Sequence, residues 1–118
     1  MPWERNPEER AVCQVLERIA QEVGVGDNIG AVAIAYVMHK APFVFPILGG
    51  RKVEHLMSNI EALNVKLTPE HIKAIEAAKP FDRGFPANII GAHRSIPFLI
   101  ASQAKIELPP VVTPVVPS

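Results

Sequence analysis

Residues 43–59 read FVFPILGGRKVEHLMSN, and the fold class turns on them. Phe43–Leu48 is a continuous apolar run. It is too short for a helix and rich in strand formers, so it reads as a buried strand over 43–48. Pro46 removes one ladder donor and points to an edge or a strand end. Gly49 and Gly50 come next. Apolar residues then return at helical spacing, at Val53, Leu56, Met57, Ile60 and Leu63, which places a helix over about 52–63.

Outward from this stretch the chain is helical. Asn6 is a suitable N-cap with Pro7 at the first helical position, and Val12, Val15, Leu16, Ile19 and Val23 make one apolar stripe. These residues predict a helix over about 6–23, ended by Gly24 and Gly26. A second helix is expected over about 28–40, with Ile29, Val32, Ala33, Tyr36 and Val37 on one face. Pro42 prevents its continuation. Thr68, Pro69 and Glu70 are a strong start signal for a helix over about 69–78, with Leu67 and Ile72 set to form a hydrophobic staple. The segment PFDRGFP is rich in turn residues, and residues 97–104 are compatible with a short helix. Residues 1–104 therefore read as one folded part, and 105–118 as a Pro-rich extended or disordered tail.

The class is thus mostly α with one β-strand. A lone buried strand is expensive, because each unpaired backbone N–H or C=O costs roughly 1–3 kcal/mol. Helix, strand, paired glycines and helix in that order form a unit of α/β architecture, in which strands come in parallel sets. Either the chain is the last part of a larger α/β fold, or a partner supplies the missing strands.

Composition sets outer limits. The 118 residues are 48% hydrophobic and 20% charged, ordinary for a globular domain. Twelve basic residues balance twelve acidic ones, which argues against nucleic acid or an anionic membrane as a charge-driven partner. The single Cys13 excludes an internal disulfide. No apolar run is long enough to span a membrane, and the polar MPWERNPEER start is unlike a signal peptide, so a cytoplasmic protein is expected.

Chemistry concentrates after the apolar run. Gly49 and Gly50 let a ligand approach the backbone with no Cβ in the way. The N-terminus of the next helix favours an anion. Arg51 adds a planar fork suited to phosphate and Lys52 a second cation. His55 and Asn59 stand at i and i+4 near the same face, and the Asn59 amide can pair with a base edge. An ordinary strand–helix connection with solvated basic residues would carry the same spacing. Neither a G-x-G-x-x-G nor a G-x-x-x-x-G-K-[ST] pattern occurs. The four histidines have no metal-ligand spacing, and neither Cys13, Ser95 nor Ser102 sits in a nucleophile context, so no metal is assigned.

The stretch AIAYVMHKAPFVFPILGGRKVEHLMSNIEALNVKLTPEHIKAIE, residues 33–76, resembles the C-terminal end of aldo-keto reductases. PFDRGFPANIIG, residues 80–91, looks like their fungal aryl-alcohol dehydrogenase branch, which includes norsolorinic acid reductase-like enzymes of polyketide toxin pathways. This resemblance implies a C-terminal fragment of a (β/α)8 TIM barrel, with Phe43–Leu48 as the eighth strand, and NADP(H) as cofactor. It implies that Gly49 and Gly50 lie beside the cofactor and that Arg51, helped by Lys52, takes the ribose 2′-phosphate. Asn59 matches the family's adenine-contacting Asn. His55 and Ser58 depart from the family, which often has Gln or Glu, and Glu, at those places. The implied activity is reduction of aldehydes or ketones, or oxidation of aryl alcohols, in fungal secondary metabolism.

A complete barrel takes about 250 residues. The family's catalytic Asp, Tyr, Lys and His come from earlier barrel strands, and no catalytic residue is assigned here. Tyr36, the only tyrosine, lies on a helix stripe and reads as packing. Two or three phosphate contacts are worth about 4–7 kcal/mol gross, against at least about 4 kcal/mol of lost freedom. NADP(H) binding by the isolated chain is therefore expected to be weak or absent. Small-molecule carbonyl substrates or aryl alcohols would need the rest of a barrel. The competing expectations are a non-catalytic helical interaction module, pairing with a full-length relative or with a second copy, and a weak nucleotide-binding module.

Overall fold

The structure is a computed structural model that describes residues 5–92 and 94–117. Contacts group the chain into two compact units, Met1–Lys79 with Thr113–Ser118, and Pro80–Val112.

The larger unit is built by capped helices. In α1 (Pro7–Glu22), the Asn6 side chain accepts from Glu9 N–H at 2.8 Å, and Glu9 accepts in return from Asn6 N–H at 2.9 Å. Two otherwise orphaned donors are thereby satisfied. Gly24 turns the chain with φ +81°, a conformation that disfavours any residue with a Cβ. Helix α2 (Ile29–Lys40) starts at Asn28 and stops before Pro42. Helix α3 (Val53–Glu61) ends in a 3₁₀ turn, Ala62–Asn64. Helix α4 (Pro69–Ala78) starts with a reciprocal cap between Thr68 and His71.

The core joins α1, α2 and the connection after α3. Ile19 and Ala20 of α1, Ala31, Val32 and Ala35 of α2, and Ala62, Val65 and Leu67 are buried. The expected α2 face is rotated: Val37 is exposed, whereas the small residues Ala31 and Ala35 are inside. Small side chains on that face let α1 approach closely, so backbone proximity decides it rather than side-chain bulk. Ile72 and Ile75 bring α4 against the same cluster.

Asn28 ties α2 to α3. Its Oδ1 caps α2 by accepting from Ala31 N–H at 3.0 Å. Its Nδ2 donates to Ser58 O at 3.0 Å and to Glu61 Oε2 at 2.7 Å. Asn28→Ala should lower stability by about 1–2 kcal/mol, and Asn28→Ser should recover only the capping part. Urea unfolding followed by circular dichroism reads both, and an unchanged midpoint for Asn28→Ala would refute the link. His39 makes a second tie. Its Nδ1 lies 2.7 Å from Ala35 O, and its Nε2 accepts from Leu67 N–H at 3.2 Å.

The expected strand does not form. No strand occurs among the described residues, and 44–50 have no regular secondary structure. Phe43 itself has φ +59°. The physical reason is the absence of a ladder partner, since a strand is defined by pairing and Pro46 lacks an N–H. The exposed side chains fit this: Phe43, Phe45 and Ile47 are open to solvent, Ile47 completely. The α3 stripe also remains open, with Val53, Leu56, Met57, Ile60 and Leu63 all exposed.

The smaller unit holds two short helices, α5 (Ala87–Ile90) and α6 (Phe98–Ala101). Asp82 accepts from Gly84 N–H, and Arg83 donates to Gly91 O at 3.0 Å, closing the PFDRGFP turn region. Residues 105–117 carry neither helix nor strand.

Candidate functional site

The connection from Leu48 to α3 surrounds an open hollow of about 470 Å³. Gly49, Gly50, Arg51, Lys52 and Asn59 all line it. Five of the six candidate residues therefore share one cavity, although Arg51 and Asn59 are separated by two turns of chain. The sixth, His55, packs against the loop instead. A Cβ on Gly50 would stand 2.9 Å from His55 Cβ, so the His55 side chain occupies the space a larger residue at 50 would need. A Cβ on Gly49 would meet nothing within 4 Å, leaving that backbone open to a ligand.

Electrostatics at the hollow are cationic on one rim. Arg51 and Lys52 are exposed, and no ion pair engages either among the described residues. Lys52 is the N-cap of α3 in extended conformation, and no side chain caps the first N–H groups of that helix. Those N–H groups and two nearby cations suit a phosphate. Glu54 lies in the same first turn and offsets part of this field. Asn59 is half-buried and lines the hollow. Asn28, which sequence reasoning treated only as a helix start, holds the neighbouring Ser58 carbonyl and so orients this end of α3. The spare amide donors of an N-cap Asn were the only signal for that role, and they specify no partner.

Beside this hollow runs an apolar groove of about 440 Å³, bounded by α2, Phe43–Leu48 and α3. Leu48, Leu56 and Asn59 border both spaces.

The remaining polar candidates lie elsewhere. The Tyr36 hydroxyl donates to Glu76 Oε1 at 3.3 Å, and Lys40 pairs with the same oxygen. Burial, then the Glu76 charge, push the Tyr36 hydroxyl above its usual range. The hydrogen bond from Lys40 holds the Glu76 carboxyl below its own. Tyr36 is tied between α2 and α4 and does not line the glycine hollow. His71 caps α4 and faces Glu22 at 3.2 Å. His93 lies outside the described residues. Cys13 is half-buried and free. No group of three metal-ligating side chains occurs among the described residues, and none of their helices is long and apolar enough to cross a membrane.

The family model described as the aldo/keto reductase family matches residues 2–80. The chain belongs to that family. Among aldo-keto reductase relatives, it is 51% identical over 89 residues to an aryl-alcohol dehydrogenase [NADP(+)] of Phanerodontia chrysosporium, covering 75% of this chain and 23% of the relative. It is 51% identical over 81 residues to the norsolorinic acid reductase of Aspergillus flavus, covering 69% of this chain and 20% of the relative. It is 44% identical over 88 residues to the aldo-keto reductase ausK of Aspergillus calidoustus, covering 75% of this chain and 22% of the relative. The chain thus spans less than a quarter of the length of these three curated relatives. No solved structure matches it.

Proposed function

We propose that the chain is a C-terminal piece of an NADP(H)-dependent aldo-keto reductase and carries the 2′-phosphate and adenine half of its cofactor site. The observation that supports this best is the gathering of Gly49, Gly50, Arg51, Lys52 and Asn59 around one hollow. The residues suit the group chemically. Arg51 and Lys52 would hold the 2′-phosphate, the open Gly49 backbone would admit the ribose side, and Asn59 would pair with the adenine edge. When bound, NADPH supplies a hydride to a carbonyl carbon. This chain's own residues bind and orient only. The proton donor for the carbonyl oxygen would come from the rest of a barrel.

The substrate class in this reading is aldehydes and ketones, aromatic or polyketide, with aryl alcohols in the reverse direction. The aryl-alcohol part rests on the name of a fungal relative, whereas the polyketide class and a place in secondary metabolism rest on the sequence resemblance alone. The cytoplasm is the proposed location.

Titration of the pure chain with 2′,5′-ADP and with 5′-ADP tests the cofactor assignment. Affinity should be millimolar or weaker, with a clear preference for the 2′-phosphorylated ligand. Equal response to the two would remove the assignment. The pure chain with NADPH and an aromatic aldehyde should show no NADPH oxidation.

A second reading is a non-catalytic helical module. It is favoured by the open apolar stripe of α3 beside Phe43–Leu48, a surface that invites a full-length relative or a second copy. Sedimentation separates the two readings: self-association or capture of a relative without nucleotide preference supports the module.

A further inference from the structure

We propose that Phe43–Leu48 pairs with the same run of a second copy as a short antiparallel ribbon, with Pro46 on the two-fold axis. This rests on the helical-module reading and names its partner. Among the described residues no hydrogen bond engages the backbone of this run, so its N–H and C=O groups form an open edge. Phe45 and Ile47 are its most exposed side chains, at 84% and 101%. An edge that is both unpaired and apolar is a template for another strand.

Register, charge and area select a second copy as that strand. A two-fold contact is self-complementary, and centring it on Pro46 sets Phe45 opposite Ile47 of the second copy. Opposed residues in an antiparallel pair alternate between exchanging both backbone bonds and exchanging none. Phe45 and Ile47 take the bonded positions and Pro46 the unbonded one, so its missing N–H costs the ladder nothing. Each copy then gives two donors and two acceptors. The ladder stops at Phe43, whose φ of +59° lies outside the strand region. Phe45 facing Ile47 is a favourable aromatic and β-branched pair. No charged residue occurs between Lys40 and Arg51, so the two runs meet without repulsion. Twelve basic and twelve acidic residues leave whole copies with no net charge to hold them apart. Phe43, Phe45, Ile47, Leu48, Leu56 and Leu63 range from 45% to full exposure. At about 150–250 Å² for a large side chain they present on the order of 800 Å² per copy. A stable interface of standard size buries about that much on each partner.

Sedimentation equilibrium of the full chain from micromolar to millimolar concentration should show a reversible monomer–dimer equilibrium. Hydrogen exchange should slow at the Phe45 and Ile47 amides as the dimer forms, while the Val44 and Leu48 amides, which face away from the second strand, stay fast. Ile47→Pro keeps an apolar side chain and removes one donor from each copy, two of the four bonds. It should weaken dimerisation by about tenfold or more. Far-ultraviolet dichroism should not change, because Ile47 packs against nothing. A monomer throughout the range overturns the proposal, as does growth past the dimer, fast exchange at Phe45 and Ile47 within a dimer, or a dimer indifferent to Ile47→Pro. Capture of a full-length relative by a chain that stays monomeric would keep the module reading while this pairing falls. Neither self-association nor capture would end both.

Discussion

Ile19→Ala should lower the stability of the helical unit by about 2–5 kcal/mol. Ile19 has no exposed surface and is the largest buried side chain of α1. The core cluster it belongs to includes Ala31 and Ala35, which have no side-chain length with which to fill a cavity. Transfer and cavity costs therefore add. A unit of this size has total stability of only about 4–12 kcal/mol, so the variant should lose a large share of it. Urea unfolding measured by dichroism at 222 nm gives the loss. Ile60→Ala is the matching control. Its side chain lies on the open α3 stripe, and its cost should stay within about 0.5 kcal/mol. If both substitutions cost the same, the core does not lie where Ile19, Val32 and Val65 put it.

Arg51→Ala should weaken binding of 2′,5′-ADP by about ten- to a hundredfold, the worth of a charge-assisted contact of roughly 1.5–3 kcal/mol. Stability should not change, because Arg51 is exposed and no ion pair engages it among the described residues. Arg51→Lys should fall between, since it keeps the charge and loses the planar fork. Chemical-shift titration of the labelled chain suits the weak range expected. The 5′-ADP response should be nearly the same in all three proteins. An Arg51→Ala titration that overlays the unmodified chain would show that the 2′-phosphate is held by some other group.

Helix starts were legible from residues because capping is local chemistry. Asn6 with Pro7 and Glu9, and Thr68 with Pro69, satisfy helix donors within four residues of chain, and the structure shows these caps. The glycine–arginine connection was legible for the same reason, since residues 49–52 are consecutive. The groups that cross between helices were not. His39 stands in no motif of the sequence, yet it bridges Ala35 and Leu67. Asn28 reaches Ser58 and Glu61, thirty or more positions away. Nothing in the local spacing of either residue names such a partner.

The apolar run at 43–48 shows where local reading stops. Its side chains specify a water-averse segment, and the backbone over 44–48 takes no regular secondary structure. Whether it joins a sheet depends on donors and acceptors from elsewhere, and no strand stands beside it among the described residues. Helical periodicity likewise placed an apolar stripe on α3, and that stripe stays open. Local propensity and capping act through bonds between near neighbours, so residue order alone decided where the helices lie and where cations and glycines meet. Burial and pairing need a second surface. Only the packed arrangement of α1, α2 and α4 could decide that Ile19 and Val32 find one and that Phe45 and Ile47 do not.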